Sequence, residues 1–137
     1  MLNEIKKESF INLLQSVEVY DYVIIDADKL TSVFIDFSII NNAITINNND
    51  FSCIKEINTD KTISSNAGNF IVAINKYNKK KAKKGIMMKS NDIEKLTETT
   101  ISALIEENIK YSDLNHEKFL DDNFLKAEIK NIVKNLK

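Results

Sequence analysis

Seven lysines carry the most evident chemistry in this chain: Lys76, Lys79, Lys80, Lys81, Lys83, Lys84 and Lys89. From Lys61 to Lys89 there are eight lysines and no acid. Residues 1–60 hold ten acids against four lysines, and residues 90–137 hold ten against seven. The net charge of −1 therefore hides a basic block on an otherwise acidic molecule, and a patch of one sign biases which partners approach. Ammonium groups clustered within two helical turns displace counterions from phosphates, so the chemistry on offer is salt-sensitive binding to nucleic acid or another anionic surface. All nineteen basic residues are lysine. Without arginine there is no bidentate fork for a guanine edge, and recognition would follow the phosphate backbone. Tyr77 is the only aromatic close enough to stack on a base, which is thin support for a single-strand platform. Set against all this is a plain reading, a solvated helix end, and it carries more weight.

Val23-Ile24-Ile25-Asp26-Ala27-Asp28 is the one catalytic-looking string. An apolar strand that delivers two carboxylates at its end suits a hard cation such as Mg²⁺. The string resembles the opening motif of haloacid-dehalogenase-type phosphatases and, more loosely, that of PIN-type nucleases. That resemblance implies an Mg²⁺-dependent phospho-enzyme using Asp26 and Asp28, with Asp121-Asp122 as a later acidic pair. It spans about eight residues. Those folds alternate strands and helices around a parallel sheet, whereas here a long alternating segment, Thr31–Ile40, follows almost at once. A strand running into an Asp-Lys turn is the simpler account.

The remaining candidates are sparse. His116 is the only histidine and reads as a first-turn helix residue beside Glu117. Cys53 is the only cysteine and reads as a small buried hydrophobe. One of each leaves no zinc set and no internal disulfide, and Gly68 and Gly85, the only glycines, make no phosphate loop. No cofactor, metal or catalytic residue is expected. Isoleucine (21), lysine (19) and asparagine (18) dominate, and their A/T-rich codons point to an AT-rich genome such as that of a low-GC bacterium, phage, plasmid or virus. The first residues do not read as a signal peptide, and no apolar stretch nears the ~18 residues of a membrane span, so a cytoplasmic protein is expected.

The elements that must position these residues are read from periodicity. Residues 2–17 predict an amphipathic helix with Leu2, Ile5, Leu13 and Val17 on one stripe. The period then drops to two. Tyr20–Asp26, Thr31–Ile40, Ala43–Asn47 and Phe51–Ile57 read as strands of a meander, with Asn41-Asn42 as a hairpin loop. A helix beginning at Ser64–Asn66 would carry Phe70, Ala73, Ile74 and Tyr77 and stop at Gly85. The competing parse of 66–89 is a hairpin with the lysines at its tip. Asn91 and Glu94 stand at capping-box spacing before an apolar series running from Ile93 to Ile109, and a last helix covers about 115–136. The expected fold is one α+β domain over 1–137: an N-terminal helix, an antiparallel sheet of three or four strands, then two or three helices on one face.

Helix, strands and helices in that order are also similar to some small phage-encoded inhibitors of bacterial defence, a likeness of order alone. The expected function is a non-enzymatic accessory or inhibitor-type protein with a protein partner. Nucleic-acid binding is the first alternative and the phospho-enzyme the second. A homodimer is also expected, because Phe34 and Ile40 would face away from Val33, Ile35, Phe37 and Ile39 and need covering.

Overall fold

The computed structural model describes residues 2–17, 19–28, 32, 35–107 and 123–136. Its elements, in order, are α1 (Leu2–Ser16), a 3₁₀ turn (Phe37–Ile39), β1 (Ala43–Asn48), α2 (Phe51–Ile63), β2 (Phe70–Tyr77), α3 (Lys79–Lys83), α4 (Ser90–Thr97), β3 (Ile101–Glu106) and α5 (Asn123–Val133). The strands form one sheet in the order β1-β2-β3, and both pairings are parallel. The expected antiparallel meander is therefore wrong. Strand and helix alternate from residue 43 onward, which is what parallel neighbours require, because each must be reached by a crossover.

The misread segments have local causes. Phe51–Ile63 is a helix, not a strand, because Asp50 caps it and Ile54 and Ile57, three apart, enter the core on one face. Phe70–Tyr77 is neither the expected helix nor half of a hairpin. It is the central strand, buried on both faces at Ile71, Val72, Ala73 and Ile74, and such a strand reads as an unbroken apolar run without alternation. The helix from Asn91 does not reach Ile109. It is Ser90–Thr97, capped by Lys89 without a side-chain bond, and it ends at Glu98 in the left-handed conformation (φ 49°). Glu94 does not close a capping box; its carboxylate accepts the Ile101 amide at 2.9 Å, where β3 begins. Thr31–Ile40 gives way in its described part to the 3₁₀ turn capped by Asp36, so the dimer argument built on that strand loses its premise, and Phe34 lies outside the described residues. The N-terminal helix, a strand from Ala43 and the left-handed Gly85 (φ 73°) after the lysines stand as expected.

Helices α2 and α4 touch and share one face of the sheet, where Ile54, Ile57, Val72, Ile74, Tyr77, Ala82 and Ile93 form the core. Beside that core the β1–α2 contact is polar: Thr45 donates to the Asp60 carboxylate (2.6 Å) and Asn47 donates to Thr45 (2.8 Å). Asparagine pairs brace β1 against β2 at both ends, Asn69 to Asn42 and Asn75 to Asn48. Chain entry to β1 is tight. The Gly68 amide donates to Ile40 O (2.9 Å), and a Cβ at Gly68 would lie 2.9 Å from the Asn41 carbonyl oxygen.

The two sheet edges differ. At β3, helix α5 packs against the strand and Glu128 accepts the Leu104 amide at 3.0 Å. At β1 the Ile44 and Ile46 side chains stand half in solvent. Among the described residues no helix is long and apolar enough to cross a membrane.

Candidate functional site

All three strands point their carboxyl ends the same way, and in open parallel sheets the loops at that end form the crevice where ligands bind. The lysine block is part of that end. Asn78 follows β2 and caps α3, its Oδ1 accepting the Lys80 and Lys81 amides at 3.1 and 3.0 Å. The helix carries Lys79, Lys80, Lys81 and Lys83, and Lys84 is its C-cap. Gly85 and Ile86 then close it, their amides bonding to Ala82 O and Lys81 O in the Schellman pattern. Lys76 lies within β2 at φ 55°, where the β2–β3 register slips between Ile74 and Tyr77. Lys89 caps α4, whose first amide, that of Ser90, donates to the buried Tyr77 hydroxyl.

The sequence-selected lysines thus gather at one end of the sheet, but not as one uniform surface. Lys81 is half-buried and paired with Glu107 at 2.6 Å, while the others are exposed. Glu107 also accepts from Asn78 (3.4 Å), and its amide donates to Tyr77 O. The Lys81 hydrogen bond, helped by that from Asn78, lowers the Glu107 carboxyl below the usual range. The sequence reading does not single out Asn78 or Glu107. An asparagine directly before the lysine run was the legible cap signal; Glu107 meets Lys81 only through the β2–β3 pairing.

A neighbouring cleft of about 650 Å³ opens beside Asn49, Asp50, Phe51, Met87, Met88 and Lys89. Asp50 Oδ1 accepts from the Ser52 hydroxyl (2.7 Å) and the Cys53 amide (2.9 Å), and these bonds hold its carboxyl at about 2. Cys53 is placed where a helix N-terminus ordinarily activates a thiol. Here the hydrogen bond to Asp50 raises the thiol above its ordinary value. Asn49 is buried and ties the cleft together by donating to Met88 O at 3.1 Å.

Asp26 and Asp28 lie in an exposed segment that is neither helix nor strand. Among the described residues no three His, Cys, Asp or Glu side chains gather where a metal ion would sit. His116 and Asp121-Asp122 lie outside the described residues.

A second feature is apolar. Val19, Tyr20, Tyr22, Val23 and Ile24 are exposed, Ile24 to 94%, and residues 22–28 belong to no helix or strand among the described residues. The sequence marks this stretch as a strand, and among the described residues it is not one.

No protein-family model matches the sequence, and no curated protein matches it. Solved structures do match the fold. The MinD cell division protein of Aquifex aeolicus superposes with a TM-score of 0.63 and 22% identity over 81% of this chain. The MinC:MinD cell division protein complex of the same organism gives the same score and identity. The chain spans about half the length of these proteins, 48% and 47%. At that identity the likeness concerns the fold, a parallel sheet with crossover helices.

Proposed function

We propose that this chain is a cytoplasmic, non-enzymatic accessory or inhibitor-type protein that works by binding another protein. The observation that carries this reading is the exposure of the apolar side chains Val19, Tyr20, Tyr22, Val23 and Ile24, together with a half-exposed sheet edge at Ile44 and Ile46. Large contiguous apolar surface is rare on monomers and marks sites of association. A fold neighbour captured as a MinC:MinD complex adds that a protein of this fold engages a protein partner. The cytoplasmic setting rests on the lone Cys53, which offers no internal disulfide.

A photo-crosslinking amino acid at position 24, introduced in the native host, tests it. The expected result is a discrete protein adduct that is absent when the probe sits at Lys55, an exposed helix position. No adduct at position 24 would refute the reading.

The lysine helix favours a second reading, binding to nucleic acid along its phosphates. Its support is geometric: α3 and its flanks bring Lys79, Lys80, Lys83 and Lys84 to the ligand-binding end of a parallel sheet. An Mg²⁺-dependent phospho-enzyme on Asp26 and Asp28 stands last, and metal-dependent phosphatase or nuclease activity abolished by Asp26→Asn would promote it.

A further inference from the structure

The contrast between the two sheet edges carries the inference. The β3 edge is closed by α5 and by the Glu128 carboxylate on the Leu104 amide. Among the described residues the β1 edge has neither. On its inner side β1 pairs with β2 in unbroken register from Ala43↔Phe70 to Asn48↔Asn75. The Ala43 amide donates to Asn69 O and the Asn49 amide to Asn75 O, so strand alternation turns the amides of Ile44, Ile46 and Asn48 off the sheet. Sheet proteins ordinarily blunt such an edge with a lysine, a proline or a bulge. The sequence AITINN supplies none of these.

The same chain carries a matching piece. Tyr20–Asp26 is seven residues long against six in β1, apolar at its centre and flanked by Asp21 and Asp26. Residues 22–28 are exposed and belong to no helix or strand among the described residues. Within one copy the segment and the edge are exposed together, with Ile24 at 94% and Ile46 at 59%, so each is available to a neighbour. We propose that the partner is a second copy of this chain: Tyr20–Asp26 of each copy adds as a fourth strand to the β1 edge of the other.

This deepens the protein-binding reading and rests on it. Strand addition satisfies the outward amides with main-chain bonds while Tyr20, Tyr22 and Ile24 find cover beside Ile44 and Ile46. Reciprocal exchange is a two-fold, self-complementary arrangement that closes at two chains, whereas one-way addition would run on as a filament. The charges at Asp21 and Asp26 oppose stacking of the added segments on one another.

The experiment mixes two populations in a Cys53→Ser background, one bearing only Ile24→Cys and the other only Ile44→Cys, so that a disulfide joining the two sites must join two chains. Mild oxidation is expected to give a product containing one chain of each kind, and light scattering of the unmodified protein at high micromolar concentration is expected to give the mass of two chains. Ile46→Lys, at an exposed position, should return the mass to one chain while keeping a cooperative thermal transition whose midpoint no longer depends on protein concentration. A one-chain mass for the unmodified protein would overturn the inference. So would an intrachain disulfide as the sole product when one chain carries both cysteines, since its own segment would then cover the edge. A monomer that still gives a position-24 adduct with a different protein removes the second copy and leaves the protein-binding reading standing. Absence of both dimer and adduct removes both.

Discussion

Asp50 and Cys53 oppose each other across a single hydrogen-bonded cap, and both consequences can be measured. The Asp50 carboxyl falls from 3.8 to about 2 because the folded state supplies its donors, the Cys53 amide and the Ser52 hydroxyl. A depressed carboxyl contributes stability that is present above pH 3.8 and is lost as pH falls through about 2. Asp50→Asn should therefore flatten the decline of the thermal midpoint between about pH 4 and pH 2; an unchanged profile would remove Asp50 as a contributor. The same substitution withdraws the charge that raises the thiol. Cys53 should then be alkylated faster by iodoacetamide at pH 8 in Asp50→Asn than in the parent, and equal rates would contradict the assignment. Asp50 was not legible as a cap in the sequence, because that role depends on Phe51–Ile63 being a helix. The lysines and Gly85 needed no such knowledge, and their cluster and left-handed stop were readable from composition and spacing.

At the level of elements, the strands explain what was and was not readable. β2 hides its strand character by being buried on both faces, and the half-exposed β1 betrays its own through alternation at Ile44, Thr45 and Ile46. Helix α2 hides because Phe51–Ile57 is too short an apolar stretch to declare its period, and its helical signals are the three-residue spacing of Ile54 and Ile57 and the Asp50 cap. Ile57→Ala, at a fully buried position between α2 and the sheet, should cost about 2–5 kcal/mol in denaturant unfolding, and a loss well below 1 kcal/mol would mean the core is placed elsewhere. For α3, Asn78→Ala removes the acceptor of two amides and should cost about 1 kcal/mol. If this helix binds nucleic acid, glutamine at Lys79, Lys80 and Lys83 should flatten the log–log salt dependence by roughly two to three units. Glutamine at Lys81 should change it less, because Glu107 already occupies that ammonium. An unchanged slope in the triple variant would leave α3 as a solvated helix end.

For the whole molecule, the parallel order decides how the parts relate. β2 and β3 are each reached by a helical crossover, so every sheet contact is distant in sequence, while the carboxyl ends and their loops collect on one side. No periodicity within a segment encodes that order, which is why element types were partly legible and their pairing was not. The order also gives Gly68 an unusual standing. This residue is exposed and has no need of glycine's positive φ, yet a single added carbon would press on the Asn41 carbonyl oxygen, a backbone atom that cannot swing aside. In a saturation mutagenesis screen, solvent exposure ordinarily forecasts tolerance. Position 68 should break that correlation, rejecting alanine as firmly as a core site does, and the intolerance would map the seam where residues 40–42 lead the chain into the sheet.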